Sequence, residues 1–279
     1  MLGRGADGPA IAIITGASSG IGRATAFELA RQGADLVLAA RNQAALQEVA
    51  EAIRAWGRRA LVVATDVTDR AQVDRLVGEA LAHYGRVDVL VASAGIYVRG
   101  PCTGLGVEEF ERSLATNFYG ALYAVLAVLP RMLERRRGHI ILVNSMDGKK
   151  GLMLDAPYVA AKFALSGVGE VLRQELHGTG VYVTSVFPGR VDTPMIARLQ
   201  VPRIAPKVTP EAVARAIVRA IRHRQAEVIL PFQARLLWYV HLLLSTLSLP
   251  LADWVARKLR LEGREVEAEC ERAGPAMQA

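Results

Sequence analysis

The chain has 279 residues, 52% hydrophobic and 22% charged, a composition that suits one large α/β domain and excludes a disordered protein. Its net charge is +7, but the basic residues are spread along the predicted helices without an accompanying aromatic platform, so we expect no nucleic-acid partner. Two separated cysteines and five scattered histidines argue against a disulfide framework and against a metal site. The first ten residues lack the apolar core of a secretory signal, which predicts a cytoplasmic protein.

From residue 10 to about residue 230, short apolar runs alternate with longer amphipathic stretches such as 21–32 and 43–56. This alternation is typical of a doubly wound parallel sheet with helices on both faces. We predict a domain over 1–230 and a helical C-terminal extension over 231–279. Ligands of such sheets bind beyond the carboxyl ends of the strands, so residues just after each strand are candidate site residues. The seven predicted strands are 10–14, 35–40, 60–64, 87–92, 139–143, 181–187 and 227–230.

A glycine-rich turn follows the first strand and leads directly into a helix. Its glycines have the spacing Gly-x-x-x-Gly-x-Gly, which differs from a P-loop. Glycines let a backbone approach a pyrophosphate closely, and the helix N-terminus offers free N–H groups. The sequence therefore predicts a phosphate turn, with a plain left-handed turn as the alternative. Its predicted binding residues are Gly16, Ser18, Ser19, Gly20, Ile21 and Gly22.

The residues after the second and third strands predict the rest of a dinucleotide site. Ala40 stands where an acidic residue would accept from a ribose 2′-hydroxyl, and Arg41 follows it, where a guanidinium can pair with a 2′-phosphate. This arrangement favours NADP(H) over NAD(H), although a solvated arginine at a strand end is the alternative. Asp66 could accept from an adenine amino group, or could instead be a turn or helix-capping aspartate.

A tyrosine and a lysine lie four residues apart in Tyr158-Val159-Ala160-Ala161-Lys162, within a predicted helix. One helical turn places both side chains on the same face. A phenol that titrates near pH ~10 needs a nearby cation to act as an acid or base near neutrality. Such pairs also occur by chance on exposed helices, so the interpretation depends on the accompanying motifs.

Taken together, these motifs resemble the short-chain dehydrogenase/reductase family over about residues 8 to 230. The family's cofactor turn matches 15–22, its adenine-binding pair matches Asp66 and Val67, and its Tyr-x-x-x-Lys matches Tyr158 to Lys162. The resemblance implies a Rossmann-type fold and an NADP-dependent enzyme that interconverts a carbonyl and an alcohol. Further matches to the family are Ser145, Asn117, and Pro188-Gly189 followed by Thr193.

The resemblance implies a role for each matched residue. Tyr158 would be the general acid/base, and Lys162 would lower its pKa and bind the nicotinamide ribose. Ser145 would donate to the substrate oxygen, or merely cap the strand end. Asn117 would position a water for a proton relay toward Lys162. The nicotinamide would lie against Pro188, Gly189, Val191 and Thr193.

Two segments depart from the family pattern. The usual Asn-Asn-Ala-Gly after the fourth strand is here Ala92-Ser93-Ala94-Gly95, so an asparagine that ties neighbouring strands together is missing. We expect Ser93 to replace it in part, and Ala92, Ala94 and Gly95 still to contact the cofactor. The loop after Ser145 reads 146–151 MDGKKG rather than a run of small residues, and we expect it to tune specificity.

Apolar side chains flank the tyrosine on both sides in the sequence and predict a lipophilic substrate. Residues 194–208, with three prolines, resemble a lid that closes over the site. The alternative is that these methionines and leucines are ordinary core residues. The predicted substrate contacts are Ser145, Met146, Met153, Tyr158, Met195 and Leu199.

The segment 232–249 is apolar almost all round, and a basic amphipathic stretch follows it. At eighteen residues with Arg235 and His241 it is marginal for a membrane span. We expect either a peripheral membrane contact through 232–261, a subunit contact or a cap over the active site. The family's habit further implies a homodimer or homotetramer. The alternative to an enzyme is a catalytically silent NADP-binding sensor or scaffold docked on a membrane or a partner.

Overall fold

The computed structural model of this chain describes residues 8–197 and 207–247. Within these residues seven strands form one parallel sheet in the spatial order β3-β2-β1-β4-β5-β6-β7. Every predicted strand is present there, with bounds within two residues of the predicted ones, which confirms the fold prediction. The strands are β1 Ile11–Thr15, β2 Asp35–Ala40, β3 Ala60–Ala64, β4 Val89–Ala92, β5 Gly138–Val143, β6 Val181–Pro188 and β7 Glu227–Leu230.

Helices connect successive strands, as parallel pairing requires. Between β4 and β5, two helices run into each other through a π-helical turn, Ala115–Tyr119. The helices of the described part are α1 Gly20–Arg31, α2 Gln43–Ala55, α3 Arg70–Tyr84, α4 Val107–Leu114, α5 Gly120–Glu134, α6 Ala156–Glu175, α7 Pro210–His223 and α8 Phe232–Leu247.

The sheet is buried on both faces because side chains alternate along each strand. In β1, Ala12 and Ile14 point to one layer and Ile13 to the other, and all three are fully buried. Helices α1, α2 and α7 cover the first face, and α3, α5 and α6 cover the second. The continuous apolar strands of the sequence are therefore explained by burial on two sides.

The chain reverses direction across the sheet between β1 and β4. The first three strands extend to one side of this point and the last four to the other. Thr15, the last residue of β1, pairs with Ala39 of β2 and with Ala92 of β4, so all three strands end at the same level. A crevice at such a switch point is where open α/β sheets bind ligands.

The contacts of the chain divide it into two compact units, with the boundary after Pro231. The described part of the second unit is α8. Its exposed large apolar side chains are Phe232, Leu236, Tyr239, Val240 and Leu242. The rest of the predicted extension, from residue 248 onward, lies outside the described residues.

One helical stretch of the described chain, Val107–Glu134, is long and apolar enough by composition to cross a membrane, with a mean hydropathy of 1.3. It comprises α4, the π turn and α5. Ala121, Ala124, Val125 and Val128 of α5 are buried in the core layer beside the sheet. This stretch thus has the composition that a core helix shares with a membrane span.

Candidate active site

The glycine turn after β1 has a backbone that only glycine accommodates. Gly16 and Gly20 have φ values of 68° and 52°. A Cβ atom on Gly16 would lie 2.8 Å from the Cα of Ala94, and one on Gly22 would lie 2.3 Å from the carbonyl oxygen of Gly16. The three glycines therefore let the turn fold tightly against the loop after β4.

Helix α1 begins in this turn without a side-chain cap. Ser19 is the N-cap residue, with extended backbone, and its hydroxyl makes no capping hydrogen bond. The first N–H groups of a helix have no partner within it, so those at Gly20, Ile21 and Gly22 are not satisfied by the capping residue. Uncapped N–H groups beside an exposed Ser19 fit the pyrophosphate of a dinucleotide.

Thr15 supplies the link between strands that the sequence pattern lacks. Its hydroxyl oxygen accepts from the backbone N–H groups of Ser93 at 3.1 Å and Ala94 at 3.2 Å. The side chain of Thr15 is fully buried. We expected the side chain of Ser93 to replace the missing asparagine in part. In these bonds Ser93 instead contributes its backbone N–H, and the side-chain hydroxyl is that of Thr15 in β1.

Arg41 follows β2 at the level of the glycine turn. Its side chain is exposed, and it forms no hydrogen bond or ion pair with another described residue. The neighbouring Asn42 has a structural role instead, because its side-chain oxygen accepts from the N–H of Ala45 and caps α2. The guanidinium of Arg41 is therefore not required by the fold, and it fits an anionic group at this edge.

Asp66 forms a turn after β3. One carboxylate oxygen accepts from the backbone N–H of Thr68 at 2.9 Å and from its hydroxyl at 2.8 Å. The cap of α3 is Asp69, whose carboxylate accepts from the N–H of Ala71. One carboxylate oxygen of Asp66 thus stabilises a turn, as the alternative interpretation predicts. Val67 is buried and lies against Gly120 at the start of α5.

Tyr158 and Lys162 occupy successive turns of α6, as predicted. The ammonium nitrogen of Lys162 lies 5.4 Å from the centroid of the Tyr158 ring and donates to the carbonyl oxygen of Val143 at 3.0 Å. Burial lowers the pKa of Lys162 to about 8, and the nearby carboxylate of Asp147 opposes that shift. Lys162 is therefore a buried cation anchored to the end of β5.

The pKa of Tyr158 is raised, which is opposite to the predicted direction. Burial is the largest cause, and the charge of Asp147 adds to it, whereas a hydrogen bond with Ser145 acts the other way. The ammonium group of Lys162 donates to the carbonyl oxygen of Val143. In the protein alone the phenol is thus firmly protonated at neutral pH.

Ser145 lies directly after β5 and interacts with Asp147 in two ways. Its hydroxyl oxygen accepts from the backbone N–H of Asp147 at 3.1 Å, and its hydrogen is donated to the Asp147 carboxylate at 2.9 Å. The bond from the N–H of Asp147 caps the short turn Met146–Gly148, so Ser145 also has the capping role that was its alternative interpretation. Asn144 fixes this strand end against α6 by donating to the hydroxyl of Ser166.

Asn117 lies in the π turn and clamps the loop after β4. Its side-chain oxygen accepts from the N–H of Ile96 at 3.0 Å, and its amide donates to the carbonyl oxygen of Ile96 at 3.0 Å. The amide also donates to the hydroxyl of Ser113 at 3.1 Å. Both amide hydrogens are used, which explains a buried asparagine within a helix. π turns interrupt helices frequently at functional sites.

A second set of contacts packs against Tyr158. Tyr97 packs edge-on against the ring of Tyr158, with centroids 5.1 Å apart. Its hydroxyl donates to the carboxylate of Asp155 at 2.7 Å, and Arg99 pairs with the same oxygen at 3.2 Å. Burial raises the pKa of Tyr97, so this phenol remains a hydrogen-bond donor.

The loop after β6 lies over the glycine turn. A Cβ on Gly20 would lie 3.1 Å from the methyl group of Thr193. Gly189 donates its N–H to the carbonyl oxygen of Leu230 at 2.6 Å, and Val191 forms a bridge with Val208. The residues predicted to hold the nicotinamide are thus held by β7 and by Val208, the last residue of the predicted lid.

Three side chains of the predicted apolar wall are exposed to solvent. Met153 and Met195 are about half exposed, at 51% and 46%, and Leu152 is exposed at 43%. Met195 lies near Gly95. This exposure distinguishes the three side chains from core residues. Leu199, together with the rest of 198–206, lies outside the described residues.

Sequence reasoning missed several residues of this site. Thr15 accepts from the N–H of Ala94, Tyr97 packs against the ring of Tyr158, and Asp155 accepts from Tyr97; each contact joins segments far apart in sequence. Asp155 carried a weak signal, because it occupies the N-cap position of α6, three residues before the tyrosine. Asp147 lies in the loop that departed from the family pattern, although its bond to Ser145 was not anticipated.

Comparison with known proteins identifies relatives of this chain. A family model described as short chain dehydrogenase matches residues 10–203. An uncharacterized oxidoreductase of Staphylococcus epidermidis is 39% identical over 185 residues, which are 66% of this chain and 79% of that protein. An uncharacterized oxidoreductase of Listeria monocytogenes is 39% identical over 188 residues, 67% of this chain and 76% of the relative.

Two solved structures are similar in fold. The alcohol dehydrogenase of the archaeon Thermococcus sibiricus, complexed with 5-hydroxy-NADP, has a TM-score of 0.73 and 28% identity, and the match covers 79% of this chain and 95% of that one. A variant of actinorhodin polyketide ketoreductase with NADPH has a TM-score of 0.75 and 30% identity, with 81% and 97% covered.

Proposed function

The chain belongs to the short-chain dehydrogenase family of oxidoreductases, which use a nicotinamide cofactor, and we propose that it interconverts a carbonyl and an alcohol on a lipophilic substrate with NADP(H). The observation that carries this proposal is the position of Tyr158, which lies beside Lys162 and Ser145. A phenol, a cation and a hydroxyl at one point are the groups needed to protonate a carbonyl oxygen.

When bound, a reduced nicotinamide cofactor would supply a hydride to the carbonyl carbon of the substrate. Tyr158 donates its phenolic proton to the carbonyl oxygen, so that the C=O double bond becomes a CH–OH group. Tyr158, whose pKa burial raises, carries this proton at neutral pH and can therefore supply it, although the raised pKa also makes the phenol a weaker acid. Ser145 donates a hydrogen bond to the oxygen on which negative charge develops.

Lys162 stabilises the charged form of Tyr158 by electrostatics. Its ammonium lies one helical turn from Tyr158 and is shielded from water. A cation favours the phenolate after proton transfer, when the tyrosine carries the negative charge. We propose that Lys162 also binds the nicotinamide ribose, with Asn117 supporting the relay that returns a proton.

The preference for NADP(H) is proposed from Arg41. Its guanidinium is exposed and unused by the fold, and Ala40 removes the carboxylate that would repel a 2′-phosphate. Among the similar structures, one contains 5-hydroxy-NADP and another NADPH, which supports the same choice. The glycine turn fits the pyrophosphate of either dinucleotide.

Replacing Arg41 by Ala tests the cofactor preference. A charge-assisted hydrogen bond is worth about 1.5–3 kcal/mol, so the KM for NADPH should rise about 10- to 100-fold while the KM for NADH changes little. Arg70→Ala is a matched control, because Arg70 is an exposed arginine on α3 that pairs only weakly with Asp74. An unchanged ratio of the two KM values in Arg41→Ala would exclude the proposed contact.

The acid/base role is tested with Tyr158→Phe. Loss of a general acid typically costs about 10² to 10⁴ in rate, so NADPH oxidation with hydrophobic ketones should nearly stop. Tyr119→Phe controls for removing a phenol, because Tyr119 is exposed on the π turn. Full activity of Tyr158→Phe would contradict the proposed acid/base role of Tyr158. If the wild type binds NADPH but reduces none of the ketones, the alternative of a silent NADP-binding protein is favoured.

A lipophilic substrate is proposed from the exposed Leu152, Met153 and Met195. Each methylene buried against such a wall contributes about 0.8 kcal/mol, so kcat/KM should rise about threefold to fourfold per methylene in a series of linear ketones. Met153→Ser should flatten this dependence on chain length. Equal kcat/KM values across the wild-type series would contradict the proposal.

Association of subunits is proposed from apolar side chains exposed on two neighbouring helices. Leu126 and Leu133 lie on α5, and Phe163 and Val171 lie on α6. A charge at Phe163 should disrupt a dimer or tetramer that buries this face. Sedimentation velocity of Phe163→Glu against wild type measures the effect, and identical oligomeric states would argue against it.

Peripheral membrane contact through 232–261 remains a proposal that the exposed apolar residues of α8 support. Flotation with liposomes measures it directly. The full-length protein should rise with vesicles containing anionic lipid, and a variant ending at Pro231 should not. Identical behaviour of the two proteins would remove the membrane from the proposed function.

A further inference from the structure

Asp147 is an ionisable group in the active site that the proposed reaction does not use. One of its carboxylate oxygens accepts the hydroxyl hydrogen of Ser145 at 2.9 Å. The other oxygen is buried and has no hydrogen-bond partner among the described residues. A buried carboxylate oxygen without a donor disfavours the charged form.

The contact with Ser145 conflicts with the role of that serine. A hydroxyl group has one hydrogen, and here it is donated to Asp147. The lone pairs of the same oxygen face the backbone N–H of Asp147, which lies 3.1 Å away. The hydroxyl also lies within hydrogen-bonding reach of Tyr158, and while its hydrogen is donated to Asp147 it can be offered neither to that phenol nor to a substrate oxygen.

We propose that Asp147 is a positioning residue that controls the hydroxyl of Ser145. The ionised carboxylate holds the hydroxyl hydrogen away from the substrate, and the neutral carboxyl releases it to the substrate oxygen. The inference rests on the proposed function, since it concerns the step in which that oxygen is protonated. The bond that changes in it is the O–H bond of the Asp147 carboxyl group, as a proton enters or leaves in exchange with solvent.

The groups around Asp147 place the change of charge close to neutral pH. Burial raises the pKa of Asp147 to about 6, while the hydrogen bond from Ser145 lowers it. Asp155, before α6, raises it further, and Arg190 after β6 and Lys162 on α6 lower it. Ionised Asp147 also raises the pKa of Tyr158, so both effects of the charge oppose delivery of a proton to the substrate.

The main test is the pH dependence of kcat/KM for ketone reduction with NADPH. Wild type should lose activity about tenfold between pH 6 and pH 7.5 as Asp147 ionises. Asp147→Asn cannot ionise, so its activity should stay level over this range and exceed that of wild type at pH 7.5. Asp74→Asn, which removes an exposed carboxylate on α3, should follow the wild-type curve.

A second variant removes the hydroxyl instead of the carboxylate. In Ser145→Ala the carboxylate has no hydroxyl to hold, so activity should be low but level between pH 6 and pH 7.5. The carbon-13 NMR titration of the Asp147 carboxyl needs no substrate: its midpoint should rise in Ser145→Ala, because the hydrogen bond that lowers it is lost.

Three results would overturn the inference. They are the wild-type decline persisting in Asp147→Asn, an Asp147→Asn protein that binds NADPH but is inactive at every pH, and an unchanged NMR midpoint in Ser145→Ala. Failure of the proposed function has a different signature, because every variant, Tyr158→Phe included, would then match wild type with all ketones. The NMR titration would still report on the contact between Ser145 and Asp147.

Discussion

Replacing Asn117 by Ala should destabilise the protein as well as slow its reaction. The change removes three hydrogen bonds, two to the backbone of Ile96 and one to the hydroxyl of Ser113. Each contributes about 1 kcal/mol, so the free energy of unfolding should fall by about 3 kcal/mol. The loop after β4 loses its clamp, because Ile96 is tied to the π turn only through this side chain among the bonds described.

Urea denaturation followed by circular dichroism measures the loss. The melting temperature should fall by about 6–12 °C, given the usual shift of about 2–4 °C per kcal/mol for a domain of this size. Ser113→Ala is the matched control, because it removes one of the three bonds and should cost about 1 kcal/mol. A loss in Asn117→Ala no larger than that in Ser113→Ala would refute the reasoning, because the bonds to Ile96 would then contribute nothing.

Two further outcomes are expected from other contacts of the site. Thr15→Val leaves the N–H groups of Ser93 and Ala94 without their acceptor and should lower the free energy of unfolding by about 2 kcal/mol in urea denaturation; no change would show that the hydroxyl is dispensable. Between pH 7 and pH 5, protonation of Asp147, whose pKa is raised to about 6, should stabilise the fold by about 1 kcal/mol. Burial lowers the pKa of His139 to about 4. Over the same pH range this histidine should therefore lower the free energy of unfolding by about 2 kcal/mol, because the unfolded chain takes up the proton more readily. Asp147→Asn should therefore lose about 1 kcal/mol more than wild type on acidification, and equal losses in thermal melts would contradict the assigned direction.

The strands could be predicted closely because each is an apolar run that must be buried on both faces. Strands β2, β3 and β7 have the predicted bounds. The apolar helical stretch between β4 and β5 is divided by the π turn, which periodicity does not register. A π turn inserts one residue into a helix without changing its apolar pattern much, and the hydrogen bonds of Asn117 become visible only in three dimensions.

The sequence predicted the positions of Tyr158 and Lys162 better than it predicted the pKa of the phenol. The spacing of Tyr158 and Lys162 correctly placed both on one side of α6, but it also suggested that the lysine lowers the pKa of the phenol. In the folded protein the ammonium bonds to Val143, and burial dominates the phenol's pKa. Desolvation depends on everything packed around a group, and that information is not local in sequence.

The amino-acid sequence alone determined the layers of the sheet, the glycine turn and the pairing of Tyr158 with Lys162, because each depends on residues close together in the chain. Tertiary structure decided which hydroxyl ties β1 to β4, what Asn117 holds, and where the hydrogen of Ser145 points. Each of these depends on the distance between atoms of segments that meet only after folding, or on the rotamer of one side chain. A hydrogen bond is directional and lost within an ångström, whereas burial of an apolar run tolerates many arrangements of its neighbours.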